Sequence, residues 1–157
     1  MLEILDIDGL LILDTNYNRI YGRTYTSNSL ELSTLKGIKE FPAVTKDHIV
    51  LQKVLNDTIV VFYGSKEANE VFLNHMLNVF CSALAQLFKG EVSLQLVDEK
   101  YDYMVLMIEY FVYEGMFRAE NAEDVVAKVP KRNFEDLKGM PIPKGFSSIF
   151  KKVKIFK

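Results

Sequence analysis

Residues 48–65 read HIVLQKVLNDTIVVFYGS, and residues 66–89 continue as KEANEVFLNHMLNVFCSALAQLFK. His48–Leu55 and Thr58–Tyr63 are dense in β-branched and aromatic residues, and only Asn56-Asp57 separates them, a two-residue link of the hairpin kind. Gly64-Ser65 stops the second strand, and Ser65 is expected as the N-cap of the helix after it. Over Lys66–Lys89 the polar residues Glu67, Glu70, Asn74, Asn78, Ser82, Gln86 and Lys89 recur three or four apart. That spacing predicts one long helix with a narrow wet stripe, stopped at Gly90. Two strands joined by two residues have no room for a crossover, so they pair antiparallel.

The same logic extends outward in both directions. Upstream, Leu10–Asp14 (LLILD) and Arg19–Tyr25 (RIYGRTY) flank Thr15-Asn16-Tyr17-Asn18, which is turn chemistry, and predict a second hairpin. Ser27-Asn28-Ser29 offers caps for a weak helix over Leu30–Lys39, and Pro42 confines Phe41–Thr45 to a short edge strand. Downstream, Glu91–Tyr113 reads as helix in two pieces, with Gly115 ending the second, very apolar one at Tyr101–Tyr113. Asn121–Val129 reads as a short helix capped by Asn121, with Glu123 and Asp124 in its first turn. Strands first and helices after them exclude a regular βαβ alternation and predict an α+β domain on an antiparallel sheet.

The chain has 157 residues, enough for one packed domain; hydrophobic residues make up 49% of it. One cysteine, Cys81, makes no internal disulfide and suits a reducing compartment. The formal net charge of −2 conceals a division. Residues 130–157 carry eight Lys or Arg against two acids (+6), and residues 1–129 carry 11 bases against 19 acids (−8). The expected organisation is therefore an acidic domain over 1–129 with a basic C-terminal extension over 130–157, and no nucleic-acid partner. The N-terminus places Glu3, Asp6 and Asp8 where a secretory leader would be basic and then apolar. The longest apolar run, Tyr103–Tyr113, is far short of the roughly 20 residues that span a bilayer as a helix, so a cytoplasmic location is expected.

Three segments carry a family resemblance: Leu10–Tyr25 (LLILDTNYNRIYGRTY), Phe62–Phe88 (FYGSKEANEVFLNHMLNVFCSALAQLF, with Asn69-Glu70 inside it) and Tyr103–Val129, with Glu114-Gly115 and Ala122–Val126. In order and spacing they resemble the small subunits of vesicle coats, most closely the coatomer zeta family. The resemblance spans roughly residues 10–129 and leaves the Gly- and Lys-rich extension unmatched. It implies a longin-like (profilin-like) fold, with five antiparallel strands sandwiched by α-helices, in which Phe41–Thr45 becomes a true edge strand. It also implies a non-enzymatic coat component that pairs obligately with the trunk of a large gamma-type chain. Such a component works in Golgi-to-ER retrograde and intra-Golgi transport and sits peripherally on Golgi and coated-vesicle membranes. Clathrin-adaptor sigma chains share that fold and are the alternative; the ending at Glu114–Val129 leans toward zeta.

The residues themselves allow a partner reading too. The apolar arc of the 66–89 helix is wider than one sheet face covers, so a second layer or a partner is expected on it. Its candidate contact positions are Phe72, Met76, Phe80 and Leu84, joined by Met104, Ile108 and Phe111 from the later helix. In the extension, Phe146, Ile149, Phe150 and Val153 recur at helical spacing among Lys144, Lys151, Lys152 and Lys154. That pattern fits contact with anionic lipid, the acidic body or a partner, or a loosely attached solvated end.

Catalytic readings are weaker. Ile4–Leu10 (ILDIDGL) resembles the first motif of haloacid-dehalogenase-like phosphatases, which would make Asp6 a nucleophile and Asp8 an acid–base with Mg²⁺. Leu10 stands where that motif needs Thr, no later acidic pair follows a strand, and the strands do not alternate with helices. Asp6-Ile7-Asp8-Gly9 is then an acidic lead-in to the first strand. His48, His75 and Cys81 are the only His and Cys residues, and their spacing predicts no shared metal or cofactor site.

Overall fold

The computed structural model describes residues 5–129; the extension and its candidate contacts Phe146, Ile149, Phe150, Lys151 and Lys152 lie outside them. The elements in chain order are β1 (Gly9–Asp14), β2 (Arg19–Thr24), α1 (Leu32–Lys36), β3 (Ala43–Val44), β4 (His48–Leu55) and β5 (Thr58–Ser65). There follow α2 (Glu70–Leu87), α3 (Leu94–Glu99), α4 (Tyr101–Phe111), β6 (Val112–Tyr113), β7 (Met116–Phe117) and α5 (Ala122–Lys128). The first five strands form one antiparallel sheet in the order β2-β1-β5-β4-β3. This is the α+β antiparallel arrangement that the order of strands and helices predicts, with the five strands and the short edge strand, β3, that the family resemblance implies.

β5 lies at the centre and is buried from Thr58 through Gly64. Its alternate residues serve two cores, because side chains along a strand point to opposite faces. Val60 and Phe62 join the larger core with Ile12, Leu51, Leu77, Phe80 and Phe111. Ile59, Val61 and Tyr63 join the smaller one with Leu11, Leu13, Val50, Leu30 and Leu35. The larger core is roofed by α2, α4 and α5, and the smaller by α1 and the loops around it.

Local departures from the expected boundaries have identifiable causes. Ser65 does not cap α2; it ends β5, and its carbonyl accepts Ala68 N in a turn. Asn69 is the N-cap instead, its side chain accepting Phe72 N at 3.1 Å, so the helix starts at Glu70. At the far end Lys89, with φ 57°, takes the left-handed position, and Gly90 follows it. The helix expected over Leu30–Lys39 shortens to a single turn at Leu32–Lys36, with Glu31 at its N-cap and no side-chain cap bond. Gly115 does not simply end a helix. Glu114 (φ 49°) and Gly115 (φ 82°) form the left-handed two-residue turn of a small hairpin, β6–β7.

That hairpin clasps the N-terminal segment. Ile7 N donates to the Gly115 carbonyl at 3.1 Å, and Phe117 N donates to the Asp6 carboxylate at 3.1 Å. Elsewhere Asp57, in the β4–β5 turn, accepts Leu94 N at 2.9 Å and so satisfies one free donor at the start of α3.

Phe80 is fully buried, with ring centroids 5.4 Å from Phe62 and 5.5 Å from Phe111. Phe80→Ala should cost about 3–5 kcal/mol of unfolding free energy in urea titration. Val71→Ala, on the same helix but 80% exposed, should stay within about 0.5 kcal/mol of wild type.

Candidate partner interface

Of the seven apolar positions read from the sequence as partner contacts, Phe72 alone is exposed, at 40%. Met76, Phe80, Leu84, Met104, Ile108 and Phe111 are buried in the chain's own core. The wide arc of α2 is covered from within: the sheet takes one side, and α4 and α5 take the rest. Gln86 at the end of α2 donates to Glu123 at the start of α5 at 3.2 Å. Sequence spacing marks the short α5 as a helix but carries no sign that it closes over α2.

Four exposed apolar side chains lie on the start of α2 and on the β6–β7 hairpin, while Ile20, Val44, Val54, Tyr101 and Tyr110 are exposed elsewhere. Val71 (80%) and Phe72 (40%) sit in its first turn. The Phe72 ring meets Phe117 of β7 edge-on at 5.7 Å, which joins the helix start to the β6–β7 hairpin. Within the hairpin Val112 pairs with Phe117 and Tyr113 with Met116. The two pairs face opposite ways, because directly paired residues share a face and neighbours do not. Val112 is buried and Phe117 packs against the core, leaving Tyr113 (54%) and Met116 (43%) outward. The Arg118 guanidinium lies 5.6 Å from the Tyr113 ring centroid. Glu67 and Glu70 precede Val71 in the chain and Glu114 follows Tyr113, all exposed, as are Lys66 and Arg118 near them in sequence. Aromatic residues and Met with an Arg among them are the composition of binding surfaces. The hairpin half of this surface was missed in the sequence because Glu-Gly between two-residue strands is a weak hairpin signal.

The other chemistry-bearing residues do not converge. Asp6 is held by Phe117 N, whereas Asp8 is buried facing His48, with Oδ2 at 3.9 Å from Nε2. His48 Nε2 is 2.9 Å from the Asn28 carbonyl and its ring meets Tyr63 edge-on at 5.1 Å. A carbonyl only accepts, so Nε2 carries the proton there. The pair thus pins the loop after β2 to the sheet. With the sheet antiparallel throughout, the two aspartates do not form the paired site of the phosphatase reading. Burial pushes the Cys81 thiol up to about 12, which keeps it protonated and unreactive at neutral pH. His75 is exposed on α2. Among the described residues no cluster of His, Cys, Asp and Glu could hold a metal ion. A shallow cavity of about 320 Å³ at Leu55, Asn56, Cys81, Ala85 and Gly90–Val92 has Glu91 and the buried thiol as its titratable groups. Among the described residues no helix is long and apolar enough to cross a membrane.

The fold is that of an adaptor-complex small subunit. One match is to a chain of a homology model of the full-length AP-3 complex in a stretched open conformation, at TM-score 0.58 and 16% identity, covering 93% of this chain and 98% of that one. No family model matches the chain. The coatomer zeta subunit of Encephalitozoon cuniculi is 30% identical over 155 residues, covering 96% of this chain and 93% of that protein. That of Saccharomyces cerevisiae is 23% identical, covering 92% and 88%. The chain belongs to the coatomer zeta subunit family, and is a vesicle-coat subunit. Coverage of 96% leaves about six of the 157 residues unmatched, so the similarity reaches into the basic extension and is not confined to residues 10–129.

Burial pushes the Asp8 carboxyl above its ordinary value of 3.8, and the weaker pull of His48 does not offset that. A raised folded-state value means that this group's contribution to stability is full below about pH 3.8 and is lost as pH rises through the raised value. Asp8→Asn cannot titrate. The unfolding free energy of wild type minus that of Asp8→Asn should therefore fall as pH is raised above about 3.8, measured by urea titration at successive pH values.

Proposed function

We propose that this chain is a structural, non-catalytic coat subunit that pairs obligately with the trunk of a large gamma-type chain. On this reading it serves Golgi-to-ER retrograde and intra-Golgi vesicle transport and reaches Golgi and coated-vesicle membranes peripherally, through the complex. The observation that carries the reading is the surface of Val71, Phe72, Tyr113 and Met116. The chain's own helices use up the remaining arc of α2 yet leave these side chains in water at the junction of two elements. Exposed apolar side chains with charged residues near them are the mark of a protein-binding surface. Membership in the zeta family supports the coat setting.

Val71→Asp and Met116→Asp place charge on this surface at exposed side chains (80% and 43%), clear of the ring contact between Phe72 and Phe117. Co-expressed with the large-chain trunk, each should reduce copurification at least tenfold, a loss of about 1.4 kcal/mol or more. Circular dichroism melts of the variants should stay near wild type. Wild-type copurification of both variants would remove this surface from the interface. A wild-type chain that remains a stable monomer in the presence of the trunk would overturn the pairing itself.

A further inference from the structure

The edge of the sheet at β2 presents a separate surface. Tyr25 N donates to the Asp8 carbonyl at 2.8 Å, and the register pairs Leu10 with Arg23 and Ile12 with Tyr21. Hydrogen-bonded and non-bonded pairs alternate along an antiparallel ladder. The backbone N–H and C=O groups of Gly22 and Thr24 therefore point away from β1, where another strand could take them. An open edge of this kind templates pairing with another chain.

The edge carries its own obstruction. Arg19 Nη2 donates to the Gly22 carbonyl at 3.0 Å, the same acceptor an incoming strand would use. The guanidinium lies flat against the Gly22 backbone, where an added Cβ would fall 2.6–2.8 Å from Nε, Cζ and Nη2. Glycine at 22 is what lets it approach. Just before this contact the ladder breaks: Tyr21 pairs with Ile12 and Arg19 with Leu13, so Ile20 is an extra residue bulged out of register. β2 holds two arginines and no acid, although residues 1–129 are strongly acidic. The opposite edge strand, β3, is only two residues long.

We propose that β2 is a latent strand-pairing edge held closed by the Arg19–Gly22 contact, and that the occupant it excludes is a second copy of this chain. Two β2 strands meeting antiparallel about a two-fold axis would each offer the other the N–H and C=O of Gly22 and Thr24. They would also bring the two Arg19 guanidinium groups together, whereas Arg23 is already paired with Glu109 at 3.3 Å, so wild type gains nothing by pairing. Replacing Arg19 frees the carbonyl and leaves Arg23, which Glu109 already pairs, as the only arginine of the strand.

The test uses the full-length chain in sedimentation velocity, with hydrogen exchange read at the Gly22 and Thr24 amides. Wild type should show no protection that grows with protein concentration. Arg19→Ala should self-associate at least ten times more tightly, with concentration-dependent protection at those two amides. Adding Gly22→Pro deletes an outward N–H but no bond to β1, and proline is tolerated at such edge positions. Arg19→Ala with Gly22→Pro should return to the wild-type sedimentation behaviour. An Arg19→Ala chain that associates no more than wild type would overturn the proposal. So would association that persists unchanged in the double variant.

Discussion

The burial of β5 on both faces is the constraint on which the rest of the structure depends. A strand with Val60 and Phe62 on one side and Ile59, Val61 and Tyr63 on the other must have an apolar layer above and below it. Each of these large side chains gains about 1.5–3 kcal/mol by leaving water, and gains it only if both layers are present. The result is a two-sided sandwich. The thick layer of α2, α4 and α5 covers Phe62, and the thin layer of α1 with its loops covers Tyr63. Flanking strands are then placed by hydrogen bonding to β5 or to its neighbours, with the most exposed strands at the rims.

The same constraint shapes the surface. Closing the thick layer needs more than α2, and α5 returns over it to complete the roof. The β6–β7 hairpin closes the end of that layer with Val112 and Phe117. A two-residue strand pair cannot bury both of its faces, so Tyr113 and Met116 are left outward. The exposure of Tyr113 and Met116 is thus a by-product of how the core is sealed.

Much of the architecture was legible residue by residue. Asn56-Asp57 between two β-branched runs marked the central hairpin, and β4 and β5 begin where the runs begin. The Asn121 cap with Glu123 and Asp124 behind it marked α5, whose cap bond is Asn121 Oδ1 accepting Asp124 N at 2.9 Å. The competition between Ser65 and Asn69 for the α2 cap was not legible. Both side chains can cap, and the choice turned on where β5 needed its last ladder residue opposite His48. The hairpin at Glu114-Gly115 was hidden as well, because a glycine after an apolar helix reads equally as a stop.

Periodicity in this sequence determined which residues are apolar together: the two-faced strand, the long helix with one wet stripe, and the order of strands before helices. These are local properties, set by side-chain spacing of two or about 3.6 residues. Whether Phe80 or Phe72 meets water was decided elsewhere. Both lie on the apolar arc of one helix and are chemically identical, yet Phe80 packs between Phe62 and Phe111 while Phe72 is left at 40% exposure. Nor did the spacing of Arg19 and Gly22 reveal that the two close a sheet edge. Burial depends on which distant segments arrive to cover a face, so only the tertiary structure separates core from surface.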